Sequence, residues 1–136
     1  MNLVEKLLAV DKKAFDEIEK KEMPSRQLEK LIGVEGAKLT IQAIDGDLYT
    51  SLSATAMKKK GVFDYGKGFD VNAKIAAAGI IEPDLKNEEL LKHLGVATPA
   101  EAAKKIFKGE VNAISDEVAK ISGFYSEDET EEEIKN

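Results

Sequence analysis

The chain has 136 residues, of which 43% are hydrophobic and 34% charged, with a formal charge of −6 and no cysteine. That length suits one domain around a single core, and the lack of cysteine excludes disulfides, a thiolate nucleophile and Cys-ligated zinc. Residues 126–136, SEDETEEEIKN, carry −5 of the charge and leave −1 for the body, so the acidity reports a tail and not an acidic fold.

The first twenty residues place Leu3, Val4, Leu7, Leu8, Val10, Ala14, Phe15 and Ile18 on one helical face. Asn2 followed by Glu5 reads as a capping box, and Asp11 either lies within one helix or ends it and caps a second. Pro24 ends the pattern because it disfavours helical backbone at Met23. Ser25 then caps a short helix with Leu28, Leu31 and Ile32 inward, closed by Gly33. In residues 37–44, Leu39, Ile41 and Ala43 alternate with Lys38, Thr40 and Gln42, the period of a half-buried strand. One strand cannot satisfy its own ladder. Its partner is either residues 17–23, whose spacing fits a helix at least as well, or another copy of the chain.

Asp45-Gly-Asp47 predicts a turn into a helix from Leu48 to about Lys60, with Leu48, Leu52, Ala56 and Met57 inward. Gly61–Gly68 reads as a loop, since three glycines in eight residues cost entropy in any regular element. Asp70 opens a helix through VNAKIAAAGII, rich in small residues suited to close packing, and Pro83 stops it. Asn87 caps EELLKHL, closed by Gly95. Thr98-Pro99 starts the next helix, with Pro at the first helical position, and Lys108-Gly109 ends it. The last helix runs from Glu110 to Ser122 with Val111, Ile114, Val118 and Ile121 inward. The fold predicted is mainly α, about six short helices with a minor β element near residues 37–44. It forms a single small domain over 1–125, followed by an acidic disordered tail over 126–136.

No residue set in this pattern carries catalysis, a cofactor or a metal. Gly61-Val-Phe-Asp-Tyr-Gly66-Lys67-Gly68 matches a phosphate loop until Gly68 replaces the magnesium-binding Ser or Thr, and no buried strand precedes it. Asp45-Gly-Asp47 followed as a calcium loop puts Thr50 and Ala56 where Gly and a bidentate Glu are needed. His93 is the single histidine, on a helix with Lys92 beside it and no cysteine anywhere in the chain. Glu88 and Glu89 sit in a first helical turn and Lys58–Lys60 at a helix end, where the macrodipole favours each. The body lacks the clustered basic face that nucleic acid requires, and no apolar run reaches bilayer length. The chain is expected to be soluble and to work by contact.

Taken in order, several segments resemble the phage XkdN-like tail assembly chaperone family. They are Pro24-Ser-Arg-Gln-Leu28, Leu39-Thr-Ile-Gln-Ala-Ile44 with its following helix, Gly79-Ile-Ile-Glu-Pro-Asp-Leu-Lys86, Leu90-Leu91, Leu94-Gly95-Val96, Thr98-Pro99, Glu110 with Ile114, and Ile121-Ser-Gly123. The resemblance covers roughly residues 24–123. It implies a non-enzymatic protein of the bacterial host cytoplasm that binds the tape measure protein, helps recruit tail tube protein during tail morphogenesis, and is absent from the mature particle. A small helical adaptor or regulatory binding module is the alternative. A long helical client calls for helical apolar rows, and Leu90, Leu91 and Leu94, with Ile106 and Phe107, are the candidate partner-binding residues. The lone strand and the small-residue helix suggest a homo-oligomer.

Overall fold

The computed structural model describes residues 2–56 and 67–124. Among them the helices are α1 (Leu3–Leu8), α2 (Lys12–Phe15), α3 (Arg26–Ile32), α4 (Gly46–Ala54), α5 (Gly68–Gly79), α6 (Glu88–Leu94), α7 (Pro99–Phe107) and α8 (Glu110–Ile121). The strands are β1 (Lys20–Pro24), β2 (Lys38–Gln42) and β3 (Ile80–Glu82). The chain is mainly α with a small antiparallel sheet, as the periodicities predict. Lys58–Lys60, most of the Gly61–Gly68 segment and the 126–136 tail lie outside the described residues.

Local chemistry sets most helix starts. The side chains of Asn2, Asp11, Ser25, Asp45, Asn87 and Thr98 each accept a hydrogen bond from a backbone N–H of the helix they precede. Asp11 therefore splits the N-terminal pattern into two helices. Gly33 and Gly95 close α3 and α6 at φ 69° and 72°, the left-handed backbone that glycine adopts without a Cβ penalty.

The sheet order is β1-β2-β3, and both pairings are antiparallel. Lys20 opposes Gln42 and Pro24 opposes Lys38, so β2 finds its partner within the chain and needs no second copy. The reading of residues 17–23 as extended is the one realised, over Lys20–Pro24. Leu39 and Ile41 are fully buried while Lys38, Thr40 and Gln42 are not, which confirms the two-residue period of this strand. On the other side Thr40 opposes Glu82 and Ile41 opposes Ile80, with an irregularity between them. Ile80 and Ile81 belong to this third strand and not to the preceding helix, which ends at Gly79. A helical continuation would have left β2 without an edge partner here, and the ladder outweighs the local helical pattern.

Helix α5 is the hub, packed on α7, α8, α4 and β3. Its Val71, Ala73, Ile75 and Ala76 join Leu39, Ile41, Leu85, Ala102, Ala103, Ile106, Phe107, Val111, Ile114 and Val118 in one core. The small residues permit close approach within the chain: a Cβ on Gly79 would overlap both methyls of Val118 and stand 3.2 Å from the Gln42 carbonyl oxygen. Three expected core contributors reach solvent instead: Leu31, Ile32 and, at the start of α4, Leu48 are all exposed. Helix α3 buries its inner face only through Leu28. Helix α4 ends at Ala54, short of the predicted Lys60, and Ala56 beyond it is buried.

Candidate interaction surface

Three features of the chain bear on partner binding: an apolar groove, an uncovered N-terminal arm, and the leucines of α6. The groove runs between α4, α5, β3 and the start of α7 and encloses about 510 Å³. Leu48 and Leu52 form one wall, Ala77 and Ala78 the floor, and Ile80, Ile81 and Leu85 the far side. Lys74, Lys86 and Asp84 are its charged side chains. An adjoining cavity of about 470 Å³ shares Gln42, Leu48, Ala78 and Lys86 with it and reaches Glu17 and Ile18.

The wall formed by α4 is held by contacts far apart in sequence. The Asp45 carboxylate accepts from the Leu48 N–H at 2.7 Å and starts the helix. The Tyr49 and Phe124 rings meet at 4.3 Å, which fixes α4 to the end of α8. The Ser122 hydroxyl accepts from the Ile44 N–H at 2.9 Å and donates to the Val118 carbonyl at 2.6 Å, anchoring the segment that leads from β2 into α4. The groove is thus a feature of the packed fold.

Electrostatic ties frame the surface. Asp70 on α5 pairs with Lys104 on α7, and the hydrogen bond and charge of Lys104 hold its carboxyl below the usual range. Lys104 also lies 5.8 Å from the centre of the Phe69 ring. On the opposite side Lys21 of β1 reaches Glu117 of α8 at 2.7 Å, and its hydrogen bond lowers the Glu117 carboxyl despite partial burial. Lys120 stands 3.6 Å from the other oxygen of Glu117.

The candidate partner-binding residues separate into two groups. Phe107 is 0% exposed and Ile106 7%, and both are core members packed against α5. They offer no side chain to a partner. Leu90, Leu91 and Leu94 lie on α6, packed against the core from outside and partly accessible. Their helix lies beside α7, and the Asn87 side chain accepts from the Leu90 N–H at 2.9 Å to start it. His93 is exposed on α6. Among the described residues no group of three or more His, Cys, Asp or Glu side chains is placed to hold a metal, and no helix is long and apolar enough to cross a membrane.

What the sequence pattern did not reveal is the groove itself, whose lining runs from Gln42 to Ala100 and comes together only in the tertiary fold. The apolar residues of the N-terminal arm, read from sequence as one helical face, lie open to solvent. Leu3 is 76% exposed and Leu8 80%, and no residue of α1 or α2 is buried.

This architecture is a small, mainly helical domain with a three-stranded antiparallel sheet and exposed apolar surface. The sequence model of the phage XkdN-like tail assembly chaperone family matches residues 4–135, and the chain belongs to that family. The match takes in the N-terminal arm and the acidic tail as well as the segments that carried the resemblance. The crystal structure of the protein yqbn is similar, with a TM-score of 0.56 and 22% identity over 79% of this chain and 88% of that one. At that identity it supports the fold alone. No curated protein matches the chain.

Proposed function

We propose that this chaperone acts without catalysis in the host cytoplasm, holding the tape measure protein and helping recruit tail tube subunits while the tail is built, and that it leaves before the particle is complete. The observation that carries this reading is the apolar groove of α4, α5, β3 and α7, taken with family membership. A long helical client exposes an apolar stripe until tube subunits cover it. A groove floored by alanines and walled by leucines and isoleucines accepts such a stripe, because small floor residues let a helix backbone come close. The partly accessible Leu90, Leu91 and Leu94 on α6 extend the candidate contact surface. The binding residues expected from sequence thus reduce to these three, because Ile106 and Phe107 stabilise the core.

Co-expression with the tape measure protein of the same gene cluster tests the proposal. The expected result is a soluble client that elutes with this chain. A client equally soluble with and without the chain, with no complex eluting, would overturn it.

A further inference from the structure

The groove and the cavity beside it carry opposite charge at their two ends. They meet at Gln42, Leu48, Ala78 and Lys86, which line both, so the two form one trough. Beyond that meeting point on one side lie Glu17, Ile18 and Asp45. On the other lie Leu52, Lys74 and Ala100. Helix α5 runs along the floor from Lys74 to Ala78, about 6 Å at 1.5 Å per residue. Helix α4 runs the opposite way, from Leu48 at the meeting point to Leu52. The dipoles of these two walls therefore oppose each other, and side chains set the polarity of the trough. Asp84 and Lys86 lie together between the ends, where the Lys86 N–H donates to Asp84 Oδ1 at 3.0 Å, and their charges offset. Asp70, one turn before Lys74, is paired with Lys104, which leaves the Lys74 charge to the trough. What remains is two carboxylates at one end and one ammonium at the other.

We infer that the trough is directional. It takes an amphipathic helix of the client with its N-terminus over Glu17 and Asp45 and its C-terminus over Lys74, antiparallel to α5. The inference rests on the client reading above and adds the chemistry of the segment recognised: an apolar stripe preceded by lysine or arginine and followed by aspartate or glutamate. A helix presents about half a positive charge at its N-terminus and half a negative one at its C-terminus, so backbone and flanking side chains favour the same direction. Turned end for end, that segment would set its acids against Glu17 and Asp45 and its basic residues against Lys74. Like charges facing each other select against a wrong binding mode, so the apolar lining supplies affinity and the end charges supply direction.

The probe is a designed peptide of about four helical turns, with a leucine stripe, two lysines before it, two glutamates after it and blocked termini. It is made with one cysteine at either its N-terminal or its C-terminal end. Because the chain has no cysteine, Ile18→Cys marks one end of the trough and Ala100→Cys the other. The full chain is mixed with both peptides, and disulfide exchange at each marked end reads their ratio. The N-terminal cysteine should be preferred at Ile18→Cys and the C-terminal one at Ala100→Cys. Comparing the two ratios cancels the reactivity of each thiol, and they should differ about tenfold, the scale of a few exposed charge pairs acting together. Adding Glu17→Lys and Lys74→Glu should bring the ratios together, and Lys74→Gln, a milder change, should narrow the difference at an unchanged thermal midpoint. Equal ratios in the unswapped chains, or a difference that survives the charge swap, would overturn the direction and leave the groove as the client site. Cross-linking at neither end would remove the groove itself.

Discussion

Ser25 and Glu110, 85 positions apart, together complete the N-terminus of α3. The Ser25 hydroxyl accepts from the Leu28 N–H at 3.0 Å and donates to Glu110 Oε1 at 2.7 Å. The same carboxylate accepts from the Arg26 N–H at 3.0 Å and the Gln27 N–H at 3.3 Å. Three of the four N-terminal donors that a helix leaves unpaired are thereby satisfied, two of them by a charge imported from the first residue of α8. Both residues lie in segments that carried the family resemblance, where Ser25 reads as a cap and Glu110 as the start of the last helix.

Glu110→Ala is therefore expected to destabilise the fold by about 2 kcal/mol, since it strips acceptors from a half-buried cluster, and Ser25→Ala by about 1 kcal/mol. The double substitution should cost less than the sum by at least roughly 0.5 kcal/mol, because the two share one network. Urea unfolding of the four proteins measures this. Strict additivity would mean that the contact contributes nothing.

Gly79 ends α5 where a Cβ would overlap the Val118 methyls and approach the Gln42 carbonyl. Gly79→Ala is expected to lose about 2 kcal/mol by overpacking. Adding Val118→Ala should recover part of that loss, because the methyls give way while the carbonyl does not. A thermal midpoint unchanged by Gly79→Ala would show that α5 and α8 separate easily.

Between α7 and α8 the sequence offers Gly109 as the terminator, yet it is Lys108 that adopts φ 51° and ψ −125°. Gly109 has φ −63°, which any residue accepts. Lys108→Gly should raise stability by about 1 kcal/mol through relief of backbone strain, read as a higher urea midpoint with an unchanged slope. Gly109→Ala should be close to neutral by comparison.

The contrast shows what the sequence could and could not convey. Asn87, Thr98 and Asp45 were legible as caps because a cap acts over three residues. The alternation of β2 was legible because its two faces differ in burial. Strand β1 was not, since on an edge only Met23 packs toward the core and Lys20, Lys21 and Glu22 carry no period. Strand β3 was hidden behind the helical run of α5, where pairing with Ile41 and Thr40 decided the backbone. For the candidate site the difficulty was burial. Leu90 and Phe107 look alike in a helical pattern, and only the packing of α7 under α5 tells them apart.

Glu117 gives stability a dependence on pH. The Lys21 hydrogen bond lowers its carboxyl in the folded chain, so the folded pKa lies below the unfolded value of about 4.3. Its contribution is complete above that value and is lost as pH falls through the lower folded one. The pair is partly exposed, which keeps the effect to about 1 kcal/mol or less. Native and Glu117→Gln chains should therefore differ in urea midpoint at pH 7, and the gap should narrow as pH falls below about 4.3. A gap that stays constant with falling pH would assign the difference to packing.

The division of the apolar residues can be tested by pairing a binding readout with a stability readout. Phe107→Ala should cost about 3–5 kcal/mol, because it empties a fully buried aromatic site at the centre of the core. Any client binding it loses should follow unfolding and return at lower temperature. Leu48 is exposed on the groove wall, so Leu48→Lys should move the thermal midpoint by less than about 2 °C, as surface substitutions generally do. It should nonetheless weaken the client complex about tenfold by placing a charge against the apolar stripe. Leu94→Ser on α6 should fall between the two, losing some stability and some binding, since that side chain is half in the core. A Leu48→Lys chain that binds as well as the native one would move the client site off the groove. Loss of binding confined to Leu90, Leu91 and Leu94 substitutions would place it on α6.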